Sequence, residues 1–192
     1  SHFENFLVHN TQDLFKSKFL YIHLTKFLNC GIFKRLGASI YTPYEFTKIK
    51  KYKKITCIQL PFNLIDHRWV KVLDKKNKQF KFFVRSIFLR GNLRNREIEF
   101  NKKIKNSQII NKHLRKICYE FKKNNFFELT VAYLKSFVGI NYFVVGVQNS
   151  QHIQNLINLF KVKPLKKSQK QKLIRIIQSN FDARQSDLRN WN

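Results

Sequence analysis

Apolar and polar positions alternate along the chain in blocks that predict strands and helices in turn. The stretch 55–60, ITCIQL, is largely apolar, contains β-branched residues and stops at Pro61. A run of this kind predicts a strand buried on both faces, as in parallel sheets. Other apolar runs, most of them ending in polar or small residues, predict four further strands at 3–10, 33–39, 81–86 and 141–145.

Helical periodicity fills the segments between these runs. Four apolar residues recur at the i, i+4, i+7, i+8 spacing of one helix face: Leu20, Leu24, Phe27 and Leu28. Gly31 follows where this helix should end. Thr42, Pro43 and Glu45 have the spacing of an N-cap, an N1 proline and the N3 residue of a capping box, which predicts a helix over 43–51.

The remaining helices follow from the same periodicity, and the segment 87–103 has no regular pattern. They are predicted over 64–75, 110–121, 129–137, from the turn at 146–150 to residue 160, and over 168–179. Alternation of strand and helix predicts parallel strands joined by right-handed crossovers. We therefore expect an open sheet of five parallel strands in chain order, with the helices outside.

The net charge of the chain suggests a second possible function. The chain of 192 residues has 38 Lys and Arg but only 11 Asp and Glu, which gives a formal net charge of +27. Such an excess favours a polyanionic partner, and a basic nucleic-acid-binding module is the alternative to an enzyme. However, the lysines are spread over nearly every segment, as an AT-rich coding sequence would produce, and no nucleic-acid-binding motif or aromatic stacking platform is found. We expect that nucleic acid is not the partner.

Other features bound the protein class. No apolar run approaches the roughly 18 to 20 residues of a membrane span, and no signal peptide pattern is found, so we expect a soluble, cytoplasmic protein. The absence of Met, including at position 1, predicts an incomplete chain. Cys30, Cys57 and Cys118 are far apart and form no CxxC pair; we expect buried apolar residues and no metal site.

Several segments together resemble a known family. In order and spacing they are similar to the second half of the aldo/keto reductases, and they cover nearly the whole chain. These segments are FLVHN (6–10), KRLGASIY (34–41), ITCIQLPFNLIDHRW (55–69), VRSIFLRGNL (84–93), ELTVAYLK (128–135) and YFVVGVQNSQHIQNLI (142–157). The closing SDLRNWN (186–192) resembles the ending of family members associated with bacterial carbohydrate metabolism.

The resemblance implies an α/β fold of the (β/α)8 TIM-barrel type, here an incomplete barrel that contains strands four to eight. Residues 1–163 would form the partial barrel, and 164–192 a C-terminal helix and tail. It also implies hydride transfer between NADP, or NAD, and the carbonyl of a small or sugar-derived substrate. In this chemistry a Tyr donates the proton, a Lys and an Asp tune it, and a His orients the carbonyl.

His9 matches the family's catalytic histidine, whereas the Tyr, Lys and Asp have no counterparts at the matching places. The resemblance therefore implies a chain that is inactive alone, or that associates with a missing N-terminal half or with another copy. Without the resemblance, an ordinary core or surface histidine would be the favoured interpretation of His9. His67 and Arg68 are expected on the surface of the helix predicted over 64–75.

The resemblance also implies a set of cofactor-binding residues. Ser39 and Gln59 match the pair that binds the nicotinamide carboxamide, although Gln59 could instead have a structural hydrogen-bond partner. The remaining matches are Ser86 on the loop beside the ring and pyrophosphate, Gly146 and Gln148 in a phosphate-binding turn, His152 near the adenosine phosphate and Asn155 near the adenine. We expect NADP over NAD because no acidic residue lies near His152 to repel a 2′-phosphate.

Overall fold

The computed structural model describes residues 3–99 and 106–182 together with Gln185, Asp187 and Arg189. Its strands are β1 (Phe3–Val8), β2 (Phe33–Ser39), β3 (Ile55–Pro61), β4 (Lys81–Arg85) and β5 (Ile140–Phe143). Its helices are α1 (Thr11–Lys16), α2 (Lys18–Asn29), α3 (Pro43–Ile49), α4 (Val70–Leu73), α5 (Ser107–Glu120), α6 (Phe126–Lys135), α7 (Ser150–Leu159) and α8 (Lys167–Asn180), with a 3-10 turn at Leu89–Gly91.

The five strands form one sheet in the order β1-β2-β3-β4-β5, and every neighbouring pair is parallel. This confirms the predicted architecture. Because all strands run the same way, their carboxyl ends lie together along one side, which we call the carboxyl edge. Residues that follow the strands are therefore brought close to one another, as in other (β/α) proteins.

One face of the sheet packs against the helices and forms the core. Apolar residues occupy every second position of the strands on this face, and neighbouring strands place them at matching register positions. The side chains of five such residues are fully buried: Ala38, Ile58, Leu60, Phe82 and Val84. Phe46 of α3 packs edge-on against Phe82, with ring centroids 5.6 Å apart. We call this the helix-covered face; Ser39, Gln59 and Phe83, which share a register row, lie on the opposite face.

Two of the predicted helix ends are confirmed in detail. The capping box of α3 is complete, because Thr42 Oγ1 accepts the Glu45 backbone N–H at 3.2 Å and Glu45 Oε2 accepts the Thr42 N–H at 2.8 Å. Gly31, just beyond α2, has a positive φ of 73°, which glycine adopts without strain. The sequence pattern missed α1, a short helix capped by the Asn10 side chain.

The helix predicted over 64–75 was wrong, since only Val70–Leu73 is α-helical. The reason is local hydrogen bonding by two side chains. Asn63 Oδ1 accepts the N–H groups of Ile65 at 3.2 Å and Asp66 at 3.1 Å, and Asp66 Oδ1 accepts the N–H of Arg68 at 3.0 Å. These side-chain acceptors replace helical carbonyls and hold the segment in successive turns.

The cysteine prediction was correct for two of three residues. Cys57 and Cys118 are buried, and burial raises the pKa of the Cys118 thiol to about 12. Cys30 is exposed instead, because it is the C-cap of α2, where the chain turns away from the core before Gly31.

The segment predicted to be irregular contains the 3-10 turn and a short antiparallel bridge between Leu93 and Ile98. Its positions 100–103 lie outside the described residues, as does the closing SDLRNWN apart from Asp187 and Arg189. None of the helices in the described part of the chain combines the length and apolar character that a membrane span requires.

Gly37 allows the close approach of three strands. A Cβ at this position would lie 2.7 Å from the Cys57 carbonyl oxygen, 2.8 Å from Cys57 Cβ and 3.0 Å from Leu7 Cγ. We therefore predict that Gly37→Ala lowers the free energy of unfolding by about 1–3 kcal/mol, the usual range for overpacking. Gly146→Ala is the control, because a Cβ there meets nothing within 4 Å. Chemical denaturation measures both, and equal stability of the two variants would contradict the prediction.

Candidate functional site

The carboxyl edge brings most of the predicted site residues to one side of the sheet. His9 follows β1, Ser39 ends β2, and Ser86 follows β4. The turn at 146–150 lies between β5 and α7. In parallel α/β folds this is the edge at which ligands bind.

Ser39 and Gln59 contact each other at adjacent strand positions. The Ser39 hydroxyl donates a hydrogen bond of 3.1 Å to Gln59 Oε1, and the two residues are register partners. Ser39 is buried and Gln59 is half-buried. The Gln59 side-chain nitrogen donates no hydrogen bond within the described residues, so the pair presents an oriented amide donor to any ligand above it.

A cleft of about 600 Å³ lies between the loop after β4 and the turn after β5. Four predicted residues line it together: Ser86, Gly146, Gln148 and His152. Phe88 and Phe127 supply apolar walls, and their rings pack edge-on with centroids 5.6 Å apart. Sequence segments that are 60 residues apart thus form one concave site with apolar walls and a few polar groups, as ligand pockets do.

The N-terminus of α7 has the features of an anion-binding site. Asn149 caps this helix, with its Oδ1 accepting the His152 N–H at 2.8 Å, and a Cβ built on Gly146 would meet nothing within 4 Å. Free N–H groups and the helix dipole favour negative charge at such a terminus. Asn155 lies one turn further on, is exposed and accepts a hydrogen bond from Gln151, so it is not among the residues that line the cleft.

The loop after β4 carries unusual backbone conformations. Ser86, Leu89 and Arg90 have positive φ angles of 58°, 55° and 55°, in the left-handed region that non-glycine residues rarely adopt. Such strained residues concentrate at functional sites, where surrounding contacts hold them in place. All three belong to the loop that borders the cleft, and Ser86 and Arg90 line it directly.

His9 stands at the other end of the carboxyl edge. It is exposed, directly follows β1 and precedes the N-cap of α1. It forms no hydrogen bond to another residue in the described ranges, so its imidazole is available to a ligand. Two strands, β2 and β3, separate it from the cleft, which begins at the loop after β4.

Comparison with known proteins agrees with this geometry. The family model described as the aldo/keto reductase family matches residues 1–178. This chain belongs to the aldo/keto reductase family. Comparison with curated proteins gave no match.

Solved aldo/keto reductase structures share the fold of this chain at low sequence identity. The aldo-keto reductase AKR11C1 from Bacillus halodurans, in its holo form, superimposes with a TM-score of 0.70 at 16% identity over 95% of this chain and 62% of its own. The glycerol dehydrogenase AKR11B4 from Gluconobacter oxydans gives a TM-score of 0.65 at 17% identity, over 93% of this chain and 59% of its own. The chain thus spans about three-fifths of the length of these solved structures.

The aldo/keto reductase motif after β3 contains an ion pair that the sequence analysis missed. Asp66 is fully buried and accepts hydrogen bonds from Arg68 Nε at 3.0 Å and Nη2 at 2.6 Å. The prediction that Arg68 lies on a helix surface is therefore wrong, since only 11% of its side chain is exposed. His67 is half-buried, and burial lowers the pKa of its imidazole. The sequence signal that could have revealed this segment is the three-residue spacing of Asn63 and Asp66, which is typical of successive Asx turns.

Two described residues near the C-terminus of this aldo/keto reductase chain, Asp187 and Arg189, lie at the same edge. Asp187 lies 3.9 Å from Arg68 Nη1 and accepts hydrogen bonds from Arg189 Nε at 2.9 and 3.1 Å. The carboxylate of Asp187 thus connects two guanidinium groups that are far apart in sequence. Ion pairing with Arg68, in the loop after β3, holds Asp187 beside the carboxyl edge.

Removing the Asp66 carboxylate should destabilise the fold. Asp66→Asn leaves the Arg68 guanidinium poorly paired in a buried position, and we predict a loss of about 3 kcal/mol in the free energy of unfolding. Glu120→Gln is the control, because Glu120 pairs with Lys172 at the surface, where both side chains are about half exposed and such pairs contribute up to about 1 kcal/mol. Denaturant titration measures both variants. Similar losses of unfolding free energy in the two variants would contradict the prediction.

Proposed function

We propose that this chain binds NADP(H) along its carboxyl edge and contributes His9 to the reduction of a carbonyl group. The main support is the convergence of Ser86, Gly146, Gln148 and His152 on one cleft beside the Ser39 and Gln59 pair. These residues match cofactor positions of the aldo/keto reductases by sequence motif alone. Their spatial agreement is an independent observation.

We propose further that the five strands correspond to strands four to eight of the family barrel. The parallel order of β1 to β5 and the order of the matching motifs both support this assignment. So does the coverage, since 95% of this chain aligns to 62% of the first solved structure above. His9 would then follow strand four.

The residues present fit the groups of the cofactor. NADP(H) would supply the hydride. The Gln59 side-chain nitrogen and the Ser39 hydroxyl would hold the carboxamide in one orientation, so that one face of the ring is presented. The backbone at 146–148 and the N-terminus of α7 would receive phosphate. His9 would donate a hydrogen bond to the carbonyl oxygen, which gains negative charge during reduction.

The charge of the cleft supports NADP over NAD. Arg90 and His152 line it together with Arg94, whose guanidinium pairs with Glu99 at 2.7 Å, and no Asp or Glu is among the lining residues. A 2′-phosphate would meet cations, whereas recognition of a free ribose hydroxyl normally uses a carboxylate.

We predict that the chain binds NADPH at least tenfold more tightly than NADH, and that His152→Ala weakens NADPH binding while NADH binding is little changed. Cofactor fluorescence titration at fixed ionic strength measures each dissociation constant. His23→Ala is the control, because His23 is exposed on α2, away from the cleft. Equal or tighter binding of NADH by the unmodified chain would refute the choice of cofactor.

Reduction itself needs a proton donor with a tuned pKa. The tyrosine, lysine and aspartate of the family chemistry have no counterparts at the matching positions of these 192 residues, so we predict no turnover from residues 1–192 alone. Oxidation of NADPH with a reactive aldehyde would be followed for this chain and for one extended by a segment that supplies three further strands. Comparable turnover by the shorter chain, lost in His9→Ala, would contradict the prediction.

A further inference from the structure

Two guanidinium groups lie over one aromatic ring at the carboxyl edge. The Cζ atoms of Arg85 and Arg189 are each 4.3 Å from the centroid of the Tyr41 ring. Contacts of this kind orient the planar guanidinium. The Nε and Nη2 edge of Arg189 is already paired with Asp187, whereas Arg85 Nη2 has no hydrogen-bond partner in the described residues. We call this set of three residues the arginine-tyrosine cluster.

The strand register defines where the cluster lies. Gln59 pairs with Ser39 on one side and with Phe83 on the other. Tyr41 and Arg85 are each two residues beyond this row, on the same face of the sheet, so the cluster is one layer nearer the carboxyl edge than the Ser39 and Gln59 pair. It also stands between His9, after β1, and the cleft, which lies between the β4 and β5 loops.

Arg85 lacks a counter-ion at this position. It forms no salt bridge within the described part of the chain, and its Nη2 atom is buried without a hydrogen-bond partner there. Burial lowers the pKa of Arg85, the Tyr41 phenol partly opposes this shift, and the neighbouring cations Arg90 and Arg189 add to it. A buried guanidinium nitrogen without an acceptor is unfavourable, and an incoming anion would relieve it.

The carboxylates nearby already have partners. Asp66 accepts from Arg68, and Asp187 accepts from Arg189. Glu45 accepts the backbone N–H groups of Tyr41 and Thr42 in the capping box of α3. Each of these carboxylates serves a structural hydrogen bond, so none is available to Arg85 without breaking another contact.

We propose that Arg85 binds an anionic oxygen group, a carboxylate or a phosphate, on the carbonyl substrate. The proposal rests on the function proposed above, because the cluster is a substrate subsite only if the carboxyl edge binds cofactor and carbonyl. A guanidinium matches such a group with two parallel hydrogen bonds. The position of the cluster on the His9 side of the cleft favours the substrate over the phosphates of the cofactor as the source of the anion.

Direct binding tests this without turnover. Isothermal titration would compare 4-carboxybenzaldehyde with 4-methylbenzaldehyde, and glyceraldehyde 3-phosphate with glyceraldehyde, on the full chain with NADPH present. We expect the charged member of at least one pair to bind at least tenfold more tightly, which is about 1.4 kcal/mol. The pair that discriminates identifies carboxylate or phosphate as the anion. Equal binding within both pairs would overturn the proposal.

Variants at Arg85 and Arg35 test whether Arg85 causes the preference for the charged aldehyde. Arg85→Gln should abolish the preference and Arg85→Lys should keep part of it, whereas Arg35→Gln, on the same sheet but paired with Glu4, should leave it unchanged. A preference that persists in Arg85→Gln would overturn the proposal, as would weaker NADPH binding in that variant with the aldehyde preference unchanged. Failure of an extended, folded protein to oxidise NADPH would count against the proposed function and leave the binding result standing.

Discussion

Burial of the helix-covered face determines the register of the five strands, and the candidate site depends on that register. A slip of one residue in β3 would turn Ile58 and Leu60 away from the helices and expose them, which would lose about 1.5–3 kcal/mol for each side chain. The same slip would separate Ser39 from Gln59, which meet only because they are register partners. The core thus positions the polar groups that lie at the ends of its strands.

Much of the fold could be predicted because local signals agreed with tertiary packing. The capping box at Thr42 and the apolar run at 55–60 both belong to elements whose environment matches their pattern. The segment after β3 could not be predicted in the same way. Leu64, Ile65 and Trp69 are buried at spacings that resemble a helix, but the side chains of Asn63 and Asp66 capture the N–H groups that a helix would use.

The candidate site shows the same division. Residues within a continuous motif, such as the turn at 146–150, were proposed from sequence, and Gly146 and Gln148 of this turn line the cleft. The arginine-tyrosine cluster could not be predicted, because Tyr41, Arg85 and Arg189 come from three distant segments and none of them has a local signal. Its recognition needed the strand register and the position of Arg189.

The contacts of the charged residues separate Arg85 from the large positive charge of the chain as a whole. The chain has few carboxylates, and those in the described residues repeatedly serve defined hydrogen bonds, in the capping box of α3, in the buried pair of Asp66 and Arg68, and between Asp187 and Arg189. The excess of lysine is spread over exposed positions. Arg85, which is half-buried and whose buried Nη2 atom has no partner in the described residues, therefore differs from the general excess of charge.

The central claim is that the cofactor lies along the carboxyl edge, and its most direct test is a titration of 15N-labelled protein with NADPH, followed by the chemical shifts of backbone amides. We expect the largest changes at Ser39, Gln59, Ser86 and 146–152, and none at Phe33 and Lys81 at the amino ends of their strands. Changes confined to the lysine-rich segment 161–172, or spread evenly over the basic surface, would contradict the account and favour a non-specific interaction with the phosphates.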